Sequence, residues 1–163
     1  MTPALPGNLC TSCGLCCDGS LFADLELKNR RESFVAESFG LKVEEGDAGD
    51  LLIQPCGALK GTRCSIYQHR PRCCRTFECR LLRDVVEGKR KTLEALEIIR
   101  DTRKLIAKVV SGVPLENGRN PLPLKERYFE ALEQCDESDT RKISRLKDAM
   151  RRLEHWIELH LLT

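Results

Sequence analysis

The distribution of cysteine constrains this chain more than any other feature of its sequence. Nine of the ten cysteines lie before residue 80, and four of them fall within eight positions, in CTSCGLCC at residues 10–17. Thiols packed this closely serve disulfide pairing, metal ligation or redox catalysis. The rest of the sequence has to discriminate among these three uses.

The N-terminal residues bear on the redox compartment. The stretch MTPALPGNLC has neither the basic segment nor the apolar segment of a secretory signal peptide. No apolar run approaches the ~18–20 residues that a membrane span requires. We therefore expect a cytoplasmic protein without a membrane partner. Thiols stay reduced in that compartment, which favours a metal or catalytic site over five disulfides.

Charge gives little support to nucleic acid as a partner. The chain has 27 Lys and Arg against 25 Asp and Glu, which argues against a general polyanion binder. Residues 60–83 do carry seven basic side chains and one acidic one, Glu78. Only Tyr67 and Phe77 supply aromatic rings there, so we interpret these cations as balancing buried thiolates rather than as a nucleic-acid patch.

The composition divides the chain at about residue 83. Residues 1–83 are rich in cysteine, glycine and proline, whereas residues 84–163 have one cysteine and helical periodicity. We predict a mostly α fold with a small irregular or β cysteine-rich metal-binding module, followed by a C-terminal helical hairpin or bundle. Large apolar residues are sparse in the first part, and small modules of this kind usually need a staple such as a bound metal.

Three elements are predicted in the first part. Residues 22–39 are expected to form a helix, with Phe34, Val35 and Phe39 among its apolar positions and Gly40 at its end. The stretch LKVEEGDAGDLLI is typical of a short hairpin. The stretch CSIYQ is expected to form another short strand.

Three helices are predicted in the second part. KTLEALEIIRDTRKLIAKVV presents an apolar face that includes Leu93, Leu96 and Ile99. After the loop SGVPLENGRNPLP, a short helix is expected in KERYFEALEQC. A long helix follows, with Ser138 or Asp139 as its cap. Its apolar positions form a heptad-like seam, which we expect to pack antiparallel within the chain; a homodimer through this helix is the alternative. The seam consists of Ile143, Leu146, Met150, Leu153, Ile157 and His160.

The spacing of the first cysteines suits a metal centre. Two consecutive C-x-x-C steps let Cys10, Cys13 and Cys16 converge from one tight turn, which Gly14 helps to form. This spacing is shared by zinc knuckles and by the opening of ferredoxin cluster motifs. Cys17 departs from the ferredoxin pattern, and adjacent side chains diverge. Cys16 and Cys17 are therefore expected to serve two metals or different atoms of one cluster.

The cysteine motifs CTSCGLCC, PCGAL and CSIYQHRPRCCRTFEC, in that order, resemble the CxxCxxCC family of zinc- or iron-chelating proteins over residues 10–79. The resemblance leaves the C-terminal helical half outside and implies a metal-binding set of eight cysteines. A related cysteine pattern occurs in flagellin lysine methylases, which are thought to use an iron–sulfur cluster. The implied ligands are Cys10, Cys13, Cys16, Cys17, Cys56, Cys64, Cys74 and Cys79.

The remaining thiols and the histidines have simpler interpretations. Cys73 is expected to be a non-ligand or a redox thiol, and Cys135 a small core residue on a helix stripe. His69 is expected at the surface or beside the ligands, and His155 and His160 in core or surface roles away from the cysteines.

These observations favour a cytosolic metal-thiolate protein whose cofactor is zinc, iron or an iron–sulfur cluster such as [4Fe–4S]. The alternatives are an iron–sulfur-dependent modifying enzyme, for example one like a protein lysine methylase, or a thiol redox enzyme. No catalytic residues are assigned, because the sequence has no glycine-rich cofactor loop and no Ser–His–Asp set. A third alternative is an adaptor whose helical arm binds a protein partner.

Overall fold

The computed structural model describes residues 7–114, 122–136 and 138–162. It confirms the predicted fold class, mostly α-helical with small antiparallel sheets. Within the described residues, the helices are α1 Gly7–Cys13, α2 Arg30–Ser38, α3 Arg72–Thr76, α4 Arg80–Val86, α5 Thr92–Val110, α6 Leu124–Glu133 and α7 Thr140–His160, with a 3₁₀ helix at Tyr67–His69. The strands are β1 Asp24–Glu26, β2 Val43–Glu45, β3 Asp50–Ile53, β4 Leu59–Lys60 and β5 Arg63–Cys64. Among these residues, no helix combines the length and the apolar character needed to span a bilayer.

Two small sheets lie in the cysteine-rich part. β3 forms the centre of an antiparallel sheet of order β1-β3-β2, in which Leu52 lies opposite Leu25 on one side and Val43 on the other. The hairpin predicted in LKVEEGDAGDLLI is therefore confirmed. β4 and β5 form a second hairpin, in which Leu59 lies opposite Cys64.

The helix predicted over residues 22–39 is wrong in its first half. Residues 24–26 form β1, and α2 begins only after Asn29, whose side-chain oxygen accepts a hydrogen bond from the Glu32 amide at 3.1 Å. This N-cap terminates the extended segment and starts the helix. Two of the predicted apolar positions, Phe34 and Phe39, are exposed.

The end of α2 follows the prediction. Gly40 has a φ of +73° just after the helix, and its amide donates to the Glu37 carbonyl at 2.8 Å. The next amide, of Leu41, donates to the Ala36 carbonyl at 3.1 Å. This pair of bonds is the Schellman arrangement, in which glycine adopts the left-handed conformation at low cost.

The strand predicted in CSIYQ is wrong. Only Cys64 of this stretch lies in a strand, and Tyr67–His69 forms a 3₁₀ helix. The Arg70 side chain stabilises that turn, because its Nε donates to the Tyr67 carbonyl at 3.0 Å and its guanidinium lies 3.6 Å from the centre of the Tyr67 ring.

The two long helices pack against each other within the chain. Gly112, just after α5, lies beside Leu146 near the start of α7, whereas Trp156 near the end of α7 donates to Thr102 in the middle of α5 at 2.9 Å. The contacts thus run in opposite directions along the two helices, which is the antiparallel packing that was expected. Four predicted seam residues are buried: Leu146, Met150, Leu153 and Ile157.

The buried face of α5 differs from the prediction. Leu93 and Leu96 are exposed, by 75% and 37%, although the sequence places them on the apolar face. Ile99 is buried as predicted, and the other buried positions are Ala95, Ile98, Thr102 and Val109. Ala95 and Thr102, both small, are fully enclosed. Small side chains allow close approach between helices, and for that reason the most apolar stripe of a helix need not be the one that packs.

Three further predictions concern α6, the start of α7 and the loop before α6. The helix expected in KERYFEALEQC is α6, and α7 has Asp139 as its N-cap, without a side-chain hydrogen bond there. The central residues of the loop predicted in SGVPLENGRNPLP, 115–121, lie outside the described part of the chain.

Two clusters of buried apolar residues form the interior. We name as the sheet core the cluster of Leu27, Ala36, Leu41, Leu52 and Ala58. We name as the helical core the larger cluster of Leu9, Leu15, Leu81, Ala95, Ile98, Ile99, Val109, Val113, Leu124, Ala131, Leu146, Met150, Leu153, Ile157 and Leu161. The helical core draws on both compositional parts of the chain, because α1 and α4 contribute to it, and α4 runs across residue 83.

Candidate metal centre

A cavity of about 120 Å³ is lined by nine of the ten cysteines. Leu81 and Ile99 of the helical core and Leu41 and Leu52 of the sheet core also line it. The cavity therefore lies between the two cores. All eight cysteines implied by the resemblance belong to this lining. The full set is Cys10, Cys13, Cys16, Cys17, Cys56, Cys64, Cys73, Cys74 and Cys79.

Of the early cysteines, Cys10 and Cys13 lie in α1, and a sharp turn after the helix leads to Cys16 and Cys17. Gly14 has a φ of +67°, and its carbonyl accepts hydrogen bonds from the amides of Cys17 at 3.0 Å and Asp18 at 3.1 Å. This left-handed glycine turns the chain, as the sequence indicated. It also lies against the backbone of Thr62, whose hydroxyl donates to the Thr11 carbonyl at 2.7 Å. The turn of the β4–β5 hairpin is thereby fixed to α1.

The later cysteines come from four short segments. Cys56 precedes β4, and its amide donates to the Cys17 carbonyl at 2.8 Å. Cys64 ends β5. Cys74 lies in α3, whose first amide, that of Arg72, donates to the Glu32 carboxylate of α2 at 2.9 Å. These contacts fold the second group of cysteines onto the first, although some forty residues separate them.

Cys79 is the N-cap of α4. Its sulfur accepts a hydrogen bond from the Leu82 amide, with the nitrogen 3.4 Å from the sulfur. Amides at a helix start favour a negatively charged partner, and amide–sulfur hydrogen bonds are a common feature around metal-bound thiolates.

Burial and mutual repulsion disfavour ionised thiols in the cavity. Burial raises the pKa of Cys13 to about 11, with further increases from the nearby Cys79 and Cys10. Burial raises the pKa of Cys17 to about 12, with Cys56 and Cys64 adding to the effect. The pKa of Cys16 is raised as well, first by burial and then by Cys13. A divalent cation would relieve this repulsion by replacing the thiol protons.

Cys73 and Cys74 form a contact of their own. Their sulfur atoms lie 3.9 Å apart. The hydrogen bond between them lowers the pKa of Cys73 and raises that of Cys74. Cys73, expected to be a non-ligand or a redox thiol, is thus the ninth cysteine at the cavity.

Three arginines place positive charge near the sulfurs. Arg70 lines the cavity and lowers the pKa values of both Cys10 and Cys17, against larger raising effects. Arg83 acts in the same direction on Cys79, and Arg103 on Cys13. Arg103 also donates a hydrogen bond to the Cys13 carbonyl from α5, ninety residues away. The roles of Arg103 and Thr62 were missed by the sequence analysis, because no local pattern announces contacts between such distant residues.

The donor set fits a thiophilic metal, but the sulfur atoms would have to move closer together to bind it. Among the described residues, no group of three or more Cys, His, Asp or Glu side chains is already placed to hold a metal ion. Among the residues that the structure describes, the lining of the cavity nevertheless contains nine thiols and no histidine or carboxylate. Such sulfur-only sets select zinc, copper(I) or iron–sulfur clusters rather than magnesium or calcium.

The remaining candidates lie outside the cavity lining. His69 is exposed and stacks on Phe39, with ring centroids 5.5 Å apart. Cys135 follows α6 and is half-buried, with its sulfur 3.1 Å from the Ala131 carbonyl oxygen; it does not belong to either apolar core. His155 is exposed on α7, and His160 contacts the Trp156 ring.

Comparison with known proteins gives one family match. The family model CxxCxxCC, described as "Putative zinc- or iron-chelating domain", matches residues 9–102. That range covers more than half of the chain, contains all nine cysteines of the cavity and continues into α5, beyond the residues 10–79 over which the resemblance was expected. No curated protein and no solved structure matches the chain.

Proposed function

The chain belongs to the CxxCxxCC family, and we propose on that premise that it is a metal-thiolate protein in which the eight family cysteines hold zinc or iron. The iron form would contain either single ions or an iron–sulfur cluster such as [4Fe–4S]. One observation carries the proposal: Cys10, Cys13, Cys16, Cys17, Cys56, Cys64, Cys74 and Cys79 all line a single cavity.

The surroundings of the cavity support a tightly held metal. Backbone amides donate to sulfur, as at Cys79, and Arg70, Arg83 and Arg103 offset the charge of thiolates. A zinc ion held by four thiolates carries a charge of about −2, which nearby guanidinium groups stabilise. The basic residues of the 60–83 segment thereby find a role that does not require nucleic acid.

A structural role follows from full thiolate ligation. A zinc ion with four cysteine ligands has no open position for substrate or water, so it stabilises the fold rather than catalysing a reaction. The metal would join α1, the β4–β5 hairpin, α3 and the start of α4 at the cavity. The sheet core beside the cavity has only five buried apolar residues, so this cross-link would supply much of its stability.

The enzymatic alternatives have less support. A thiol redox enzyme needs a cysteine with a lowered pKa, whereas the pKa values of Cys13 and Cys17 are raised, to about 11 and about 12. Cys73 is the exception, with a lowered pKa. A modifying enzyme of the lysine-methylase kind would require an iron–sulfur cluster, and the spectrum described below separates that case from zinc. We further propose a reducing compartment such as the cytosol, where these thiols would stay available for metal.

The test is anaerobic purification followed by elemental analysis and a visible absorption spectrum. We expect stoichiometric zinc with a colourless protein, or iron with sulfide and the broad visible absorption of a cluster. The Cys135→Ser variant is the matched control, because its thiol lies outside the cavity and its loss should leave the metal content unchanged. Protein that contains no zinc or iron, with the cavity cysteines joined in disulfides, would contradict the proposal.

A further inference from the structure

We propose that the eight cysteines form two separate four-thiolate sites rather than one shared centre. This inference rests on the proposed function and specifies its ligands. The first site comprises Cys10, Cys13, Cys16 and Cys79. The second site comprises Cys17, Cys56, Cys64 and Cys74.

Packing divides five of the eight cysteines between the two cores. Cys13 and Cys79 pack against the helical core. Cys56, Cys64 and Cys74 pack against the sheet core. The cavity lies between these cores, so these five cysteines approach it from two sides. A single four-ligand ion would leave four of the eight thiols unused.

The backbone separates Cys16 from Cys17 at the point where the sets meet. Adjacent side chains on one chain diverge, so two neighbouring sulfurs seldom bind the same tetrahedral ion. The Cys17 carbonyl accepts the amide hydrogen of Cys56 at 2.8 Å, which ties Cys17 to the segment that supplies the second site. The Cys13 carbonyl instead accepts from Arg103 of α5, on the helical side.

Position in the fold agrees with this division. Cys10 and Cys13 lie in α1, and Cys79 is the N-cap of α4. Cys64 instead ends β5, and Cys74 lies in α3.

Paired substitutions test the assignment. The anaerobically purified protein is analysed by native mass spectrometry, and then stripped and reloaded with Co²⁺ alone to count sites from the cobalt–thiolate absorption. We expect two metal centres per chain, whether these are ions or clusters. Cys10→Ser/Cys13→Ser should lose one centre, Cys56→Ser/Cys64→Ser should lose the other, and Cys135→Ser should keep both.

Single substitutions at the boundary provide a second measurement that does not depend on emptying a site. Cys16→Ser and Cys17→Ser should each change the cobalt spectrum of one centre only, and their spectral changes should add in the double variant. Circular dichroism establishes that each variant keeps its helices.

The outcomes separate this inference from the proposed function. Wild-type protein that binds one centre per chain would overturn the two-site assignment while leaving metal binding intact. Loss of both centres in either folded pair variant would overturn it as well. Wild-type protein that binds neither native metal nor Co²⁺ would overturn the proposed function and the assignment with it.

Discussion

Gly14 forms the turn between α1 and the cysteines that follow it. Its φ of +67° is a conformation that costs an L-residue with a side chain roughly 1–2 kcal/mol. A Cβ atom at this position would also lie 3.1 Å from the Cα of Thr62. The contact is with backbone rather than with a flexible side chain, so it cannot be relieved without moving α1 away from the β4–β5 hairpin.

We predict that Gly14→Ala impairs metal retention, measured as the Zn²⁺ affinity in competition with a chelator. Gly61→Ala is the matched control, because Gly61 has a similar φ of +62° but no atom within 4 Å of the added Cβ. Both variants should lose about 1–2 kcal/mol of unfolding free energy from the backbone. Only Gly14→Ala should also weaken zinc binding, and equal zinc affinities for the two variants would contradict this account.

His160 provides a pH-dependent signal from outside the cavity lining. Its ring centroid lies 4.2 Å from that of Trp156, and its Nδ1 is buried without a hydrogen-bond partner. Burial lowers the pKa of His160, and the positive charges of Arg90 and Arg80 lower it further. The folded chain thus favours the neutral imidazole. The contribution of His160 to the unfolding free energy is therefore fully present above pH ~6.5 and is lost as pH falls through the lowered pKa.

We expect Trp156 fluorescence to report this protonation, since a protonated imidazole quenches a neighbouring indole and Trp156 is the chain's one tryptophan. Quenching should set in on acidification with a midpoint below about 6.5. His160→Gln should abolish the transition, whereas His155→Gln, at an exposed position on the same helix, should preserve it. A midpoint above that value would contradict the assigned environment.

At the residue scale, the sequence was informative where chemistry is encoded locally. Neighbouring residues in the sequence were enough to interpret the spacing of Cys10, Cys13 and Cys16 and the bend at Gly14. Thr62 and Arg103 could not, because their partners Thr11 and Cys13 lie 51 and 90 residues away in the chain. Such contacts depend on the tertiary fold that brings the two segments together.

At the scale of elements, the α5–α7 pair organises the helical core. Thr102 is fully buried, and its hydroxyl accepts the Trp156 indole hydrogen at 2.9 Å while donating to the Ile98 carbonyl at 2.7 Å. One polar group therefore connects the two helices inside an apolar interface. Leaving a buried donor without its acceptor lowers the unfolding free energy by about 1–3 kcal/mol.

We predict that Thr102→Val, which keeps the side-chain shape, lowers the unfolding free energy by about 1–3 kcal/mol in urea titrations followed by circular dichroism. The same substitution made in a Trp156→Phe background should cost clearly less, because the indole donor is already gone. Identical costs in the two backgrounds would show that the hydrogen bond does not couple the helices.

Helix existence was easier to predict than helix boundaries or buried faces. α5 and α7 were expected from their long periodic patterns, but Leu93 and Leu96 proved exposed. The buried stripe of α5 consists of Ala95, Ile98, Ile99, Thr102 and Val109. In residues 22–39, the pattern of apolar residues alone did not reveal that Leu25 pairs with Leu52 of β3. It also did not reveal that α2 starts only after Asn29. Strand pairing of this kind depends on a partner segment, which helical periodicity ignores.

For the whole molecule, the two cores differ in size. The helical core contains fifteen buried residues and the sheet core five, within the described part of the chain. We expect the helical core to persist without a cross-link, whereas the sheet core would depend on metal ligation by the adjacent cysteines.

We therefore predict an uneven response to metal removal. After treatment with a chelator under reducing conditions, amide hydrogen exchange should rise strongly in residues 24–76 and much less in α5 and α7. Readdition of Zn²⁺ should restore the original pattern and release about four protons per four-thiolate ion. Equal increases in both regions would contradict the idea that metal mainly stabilises the sheet core.

X-ray absorption at the metal edge of the anaerobically purified protein tests the central claim most directly, because it identifies the atoms bonded to the metal. The account predicts a first shell of sulfur alone, with about four thiolates at ~2.3 Å if the metal is zinc. A first shell containing nitrogen or oxygen ligands in place of these sulfurs would contradict it.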